Sequence, residues 1–228
     1  DRKITGIAER LKEARELFAG NPAYAKLKIK EIQINEIIGN SAQNNPGAIL
    51  GYFYYLEKGK ADGASKACWE NSAGDYNCYN NTLDGLLTPK TFQPTAAWRL
   101  YKAYADGVES RISAATSNPR VVVLASVKSD TEDTAQILIG YFRQSASDSL
   151  TANISINLKN TDSLPFISGE SEVNLKIQKI PATGERPLEE LKPVSENSYP
   201  LENNSLHIKL ENISAGEAYL ITVTKFRR

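Results

Sequence analysis

Residues 4–18 carry apolar side chains at three- and four-residue steps (Ile4, Ile7, Ala8, Leu11, Ala14, Leu17, Phe18), with Glu9, Arg10, Lys12, Glu13 and Glu16 opposite them. That spacing predicts an amphipathic helix. Gly20-Asn21-Pro22 predicts its end, with Gly20 as a left-handed cap and Pro22 as the breaker. Residues 29–38 then set Ile29, Ile32, Ile34 and Ile37-Ile38 among polar positions, a β-branched run that reads as a strand. A second helix is expected over 47–58, where Ile49, Leu50, Phe53, Tyr54 and Leu56 form an apolar side after Asn44-Asn45-Pro46. A short strand follows over 64–69. A third helix starts near Pro94 and runs to Tyr104 through Ala97, Trp98, Leu100 and Tyr101. Helix, strand, helix, strand, helix is the order of βα units carrying a parallel sheet.

The pattern changes at Ser117-Asn118-Pro119. From there strands are expected over 121–127, 135–144, 150–158, 173–180, 205–210 and 218–226. They are separated by turn formers such as Ser129-Asp130, Ser145-Ala146-Ser147-Asp148 and Ser214-Ala215-Gly216. Short strands at this density, in about 110 residues, predict an antiparallel β-sandwich. The expected fold is therefore α/β over residues 1–117 and all-β over 118–228. No internal repeat or low-complexity tract interrupts it.

Composition narrows the partners. In 228 residues, 27 Lys+Arg balance 27 Asp+Glu, so bulk charge favours neither nucleic acid nor an anionic membrane. No stretch reaches the roughly 20 apolar residues of a spanning helix. The chain contains no Met, so Asp1 is expected to be a cleavage point, a trimmed end or an imposed boundary. The two cysteines, Cys68 and Cys78, flank a Gly- and Asn-containing loop and are expected to form a disulfide; with a single histidine, His207, far away in sequence, a zinc site has no ligand set. Asn80, Asn153, Asn203 and Asn212 each head a glycosylation sequon. Disulfide and sequons together point to an exported protein, secreted or extracellular, with lysosome or periplasm as related destinations.

The candidate chemistry is at strand ends. Where strands and helices alternate around a barrel, loops at the carboxyl edge gather reactive groups from several strands around one pocket. Glu36 closes the first strand. Strict alternation would place it on one face with Ile32 and Ile34, leaving Glu31, Gln33 and Asn35 on the other. The second strand closes on Cys68-Trp69-Glu70-Asn71, where an indole suits the C–H face of a sugar ring and a carboxylate and an amide suit its hydroxyls. One histidine gives no Ser-His-Asp triad, and no glycine-rich phosphate loop is present. No cofactor is expected.

The runs Ile32-Gln33-Ile34-Asn35-Glu36-Ile37-Ile38-Gly39, Ala67-Cys68-Trp69-Glu70 and Leu83-Asp84-Gly85-Leu86-Leu87-Thr88-Pro89 lead through Gln93-Pro94-Thr95-Ala96-Ala97-Trp98 to Tyr101. In this order they resemble the last quarter of a clan A retaining glycoside hydrolase barrel, closest to family 39, with families 30, 51 and 79 as relatives. The resemblance covers about residues 1–107. It implies the last two strands and helices of a (β/α)8 TIM barrel ahead of the sandwich, with Glu36 as the strand-seven nucleophile. Asn35, Trp69, Glu70 and Asn71 become substrate-binding residues, Trp69 at the strand-eight position. An Asn-Glu pair more often marks the acid/base of strand four in these families, but only one further βα unit and a final helix follow Glu36, which fits strand seven.

A retaining mechanism needs a second carboxyl group about 5–5.5 Å from the first. Strand four, its expected source, is not in this chain, and two strands cannot close a barrel. The resemblance thus implies a heterodimer with an N-terminal fragment of the same precursor, as in family-79 relatives that mature by cleavage, acting on a carbohydrate substrate. The alternative is a non-catalytic glycan- or partner-binding protein in which Glu36 is a solvated strand-end carboxylate.

Overall fold

A computed structural model describes residues 3–107, 110–128 and 133–226; Asp1 and the Ser129-Asp130 turn lie outside them. The first helix, α1 (Ile7–Ala14), buries Ile7 and Leu11 and continues as a π turn over Arg15–Ala19. Gly20 does not take the left-handed cap conformation expected of it: its φ is −85°, because its N–H closes the π turn on the Arg15 carbonyl at 2.8 Å. The left-handed residue is Lys28 (φ 49°), which ends a short 3-10 helix over Pro22–Leu27. Asn21 starts that helix by accepting the Ala23 N–H at 2.9 Å.

Strand β1 (Gln33–Ile37), helix α2 (Pro46–Lys58), strand β2 (Gly63–Lys66) and helix α3 (Ala96–Ala105) follow in the expected order, and β1 and β2 pair in parallel. Asp62 fixes the start of β1 by accepting the Ile32 N–H at 2.8 Å and an Arg15 guanidinium at 3.4 Å; the Ile32 bond, then the Arg15 charge, hold its carboxyl below the usual carboxylate range. Asn45 caps α2 by accepting the Ala48 N–H, and Thr95 caps α3 by accepting the Trp98 N–H, so Pro94 sits just outside the helix.

The strands after residue 110 form two antiparallel sheets. Strands β3 (Arg111–Ile112), β4 (Val121–Val127), β5 (Thr134–Tyr141), β7 (Glu172–Ile180), β8 (Lys192–Pro200) and β10 (Ala218–Lys225) make a sheet of order β3-β4-β5-β10-β7-β8. Strands β6 (Thr151–Lys159) and β9 (Ser205–Ser214) make a second, two-stranded sheet. Between the sheets, Ile137, Ile139, Leu175, Ile177 and Val223 meet Leu206, Ile208, Leu210 and Ile213 in one core. The other face of the large sheet packs on the helices: Val122, Leu124, Leu138, Ile180 and Ala218 share a core with Leu11, Ile49, Leu50, Phe53 and Leu100. Covered on both faces, β5 is buried along almost its whole length, as a sheet between two layers must be.

Two strands went unread in the sequence. The two-residue β3 joins the large sheet ahead of residue 118. The edge strand β8 exposes most of its polar residues and holds Pro193 and Pro200, so it offers no apolar alternation to detect.

Helix α2 lies so close to the sheet that Gly47 has no room for a side chain. A Cβ there would strike the Tyr141 carbonyl oxygen and come within 2.7 Å of the Glu217 carbonyl oxygen. Gly47→Ala is expected to cost about 1–3 kcal/mol of stability by pushing α2 off β5, read as a lowered denaturant midpoint; an unchanged midpoint would contradict this packing.

Candidate functional site

The carboxyl ends of β1 and β2 lie on the same side of their sheet because the strands are parallel. Their pairing runs Gln33↔Gly63 and Ile34↔Ala64, then skips to Ile37↔Lys66 through a bulge. Within the bulge Glu36 is left-handed (φ 58°), and Ile38 follows at φ 57°. The alternation expected from sequence, with Ile32, Ile34 and Glu36 on one face, therefore fails at this point. Ile32, Ile34 and Ile37 pack toward the helices, while the extra residue releases Glu36 from that face. Glu36 and Asn35 are exposed at the strand end, and the Glu36 carboxylate has no hydrogen-bond or ion-pair partner among the described residues.

From the end of β2, the Trp69 indole reaches across and donates to the Ile38 carbonyl at 2.8 Å, which ties it to the segment just past Glu36. Cys68 and Cys78 form the expected disulfide, with Cα atoms 5.6 Å apart. Glu70 is exposed and bridges Tyr76 across the disulfide loop. A hydrogen bond to the Glu70 carboxylate, reinforced by its charge, raises the Tyr76 phenol pKa above its ordinary value.

Asn71 sits differently from the sugar-binding position expected for it. It is 8% exposed, and its Oδ1 accepts the N–H groups of Ala73 and Asp75, both at 2.9 Å. Its acceptor is turned inward, bracing the loop.

Further polar residues, to which the sequence assigned no such role, hold the two strand-end loops together. The Lys66 ammonium meets the Asp84 carboxylate at 2.9 Å and also donates to the Asp84 and Ala67 carbonyls. Gln43, buried, donates to Asn40 Oδ1 at 2.8 Å and to the Glu70 carbonyl at 3.2 Å, and accepts from Asn77. Asn80 continues this chain: it donates to Asn77 Oδ1 at 3.1 Å, and its own Oδ1 accepts the Thr82 hydroxyl at 2.6 Å. The signal for such residues was the density of amides in 71–82; spacing alone does not say which of them face one another.

The other three sequon asparagines, Asn153, Asn203 and Asn212, are exposed on or beside the β6–β9 sheet. His207 lies on the same sheet, exposed, its Nδ1 2.6 Å from Asn157 Oδ1. A groove of about 490 Å³ runs between residues 112–118 and β6; Glu36, Trp69 and Glu70 are not among its lining residues. Among the described residues no group of three metal-ligating side chains converges, and no helix is long and apolar enough to cross a membrane.

No family model matches the chain, and no curated protein matches it. Solved structures do. The chain aligns over 98% of its length with N2152 from Neocallimastix frontalis (TM-score 0.74, 21% identity) and with a glucosidase from Croceicoccus marinus (TM-score 0.64, 14% identity). Over 96% of its length it aligns with the GH39 enzyme from Xanthomonas axonopodis pv. citri (TM-score 0.60, 12% identity). It covers 51%, 52% and 49% of those chains, so it spans about half the length of the structures it matches. The chain has a glycoside-hydrolase-like fold.

Replacing both cysteines, Cys68→Ser with Cys78→Ser, removes the covalent closure of the loop that carries Trp69, Glu70 and Tyr76. A loss of about 2–4 kcal/mol is expected, measured by denaturant unfolding against the oxidised wild type; equal stability would show that the amide network alone sets the loop.

Proposed function

We propose that this chain is the C-terminal portion of a retaining glycoside hydrolase, and that Glu36 is its nucleophile. The observation that carries the reading is an exposed, unpartnered carboxylate at the carboxyl end of a parallel strand, with an indole anchored on the segment that follows it. The fold in which this occurs is shared with a glucosidase and with a GH39 enzyme. Family 39 remains the nearest assignment on the sequence motifs.

In the proposed reaction the Glu36 carboxylate attacks the anomeric carbon of the bound glycoside as an external carboxylic acid protonates the departing oxygen. Water, deprotonated by that same external group, then displaces Glu36 from the glycosyl ester and regenerates it. Trp69 forms a wall of the sugar pocket, and Glu70 and Asn35 take hydroxyls from the sugar. Asn71 serves by shaping the loop. No cofactor takes part.

The acid/base comes from a preceding segment that supplies the remaining strands of a TIM barrel, either as a separate associated chain or as part of one longer protein. Supporting this, β1 and β2 pair only with each other among the described residues, which leaves both outer edges open. Leu17, Phe18 and Leu27, in the segment that leads into β1, are also exposed. The disulfide fits an oxidising compartment, and the three exposed sequons fit secretion.

Hydrolysis of aryl glycosides by the natural protein, including its preceding segment, tests the assignment. Glu36→Gln is expected to lower kcat by at least about 10³-fold with folding intact. Undiminished turnover would remove Glu36 as nucleophile and favour the non-catalytic glycan binder.

A further inference from the structure

The disulfide loop exposes two aromatic side chains that the reading above leaves unused. Tyr76 is 53% exposed and Tyr79 is 85% exposed. They share one tight turn, closed by the Tyr79 N–H donating to the Tyr76 carbonyl at 3.0 Å, so their Cα atoms lie within about 7 Å. Between them sits Cys78, bonded to Cys68 next to Trp69. Links lead away from the β1 end in turn: the Trp69 indole on the Ile38 carbonyl, Glu70 following Trp69, Tyr76 bridged to Glu70 across the loop, then Tyr79.

The turn is held from several sides. Asn71 braces its interior, the Asn77 amide docks on Gln43, and Glu185 of the sandwich accepts both the backbone N–H of Ser72, at 2.7 Å, and its hydroxyl. A loop braced in this way presents both rings from a fixed backbone, which limits the conformational freedom lost when they bind. A tyrosine offers a flat apolar face together with a hydroxyl, the combination that matches a pyranose with equatorial hydroxyls, whose ring presents a face of C–H bonds.

Charge selects among glycans. The surface carries Glu36, Glu70 and Asp75, and residues 67–79 contain no Lys or Arg. The nearby Lys66 is paired with Asp84. The loop thus offers a uronate carboxylates and no cation of its own, which favours a neutral ligand.

We propose that Tyr76 and Tyr79 form an outlying stacking subsite for a neutral polysaccharide, beyond Trp69 and Glu70 on the carboxyl-edge surface. The inference rests on the reading of that surface as a glycosidase site, and it adds the residues that hold the polymer at a distance from the scissile bond.

Affinity electrophoresis of the natural protein, with its preceding segment, through gels containing xyloglucan, arabinoxylan or polygalacturonate tests it. At least one neutral polymer should retard the wild type and polygalacturonate should not. The double variant Tyr76→Ala with Tyr79→Ala should bind that neutral polymer about tenfold more weakly. The single variant Tyr79→Ala, which keeps the Tyr76 contact to Glu70, should show a raised KM on the polymer, with kcat on a short aryl glycoside unchanged. Equal retardation of wild type and double variant, retardation by polygalacturonate alone, or no retardation by any of the three overturns the subsite. Glu36→Gln separates the two readings: it should be retarded like wild type while losing turnover, and if it keeps turnover the nucleophile assignment falls while the retardation data still decide the subsite.

Discussion

Parallel pairing of β1 with β2 sends both strands toward the same edge, and the bulge in that pairing decides which side chains stand there. Without the extra residue, Glu36 would follow Ile32 and Ile34 toward the helices, into a layer built of Leu11, Ile49 and Leu50. A carboxylate in that layer would be buried without a partner, at a cost of several kcal/mol. The bulge avoids this by placing Glu36 in the left-handed region, where a non-glycine residue is itself strained. Local strain, a reversed side-chain phase and a free carboxylate thus coincide at one residue.

The rest of the molecule holds that edge in place. Helix α2 is covered by α1 on one side and by β4 and β5 on another, and its glycine-lined approach to the sheet joins the parallel pair and the sandwich in one continuous core. Arg111 and Glu57 clamp the far end of α2 with a 2.6 Å ion pair, beneath the Tyr104 phenol, whose pKa burial pushes up to about 12. On the functional side, Gln43, Asn77 and Asn80 connect the loop after β1 to the loop after β2, and the disulfide and Glu185 fix the outer part of the second loop. The sandwich therefore supports the candidate site directly, through Ser72, besides packing beneath it.

Elements whose stability comes from a repeated apolar face were legible in the sequence. The 3.6-residue period located α1, α2 and α3, and apolar or alternating runs between polar turns located β4, β5, β6, β7, β9 and β10 to within a few residues. What stayed hidden depends on single backbone conformations or on contacts between distant residues. The Asn35-Glu36 bulge adds one residue without any change in composition, and Gly20 reads as a left-handed cap until the π turn is seen to use its N–H. The strand β8 has no inward apolar row because it is an edge. That Glu36 lies at the end of β1, with Trp69 and Glu70 just past β2, was legible because each follows directly on a strand-like run. That Asn71 braces a turn was not legible, because an amide that binds a ligand and an amide that braces a turn are the same residue in sequence. Tyr76 was passed over because its partner, Glu70, meets it only across the folded loop.

Covalent trapping addresses the central assignment most directly. Incubating the natural protein with a 2-deoxy-2-fluoro glycoside bearing a good leaving group slows departure of the glycosyl ester, and peptide mass spectrometry then locates the label. The account places the label on Glu36, in the peptide that includes Ile34-Asn35-Glu36-Ile37. Time-dependent inactivation with the label on any other carboxylate would contradict it.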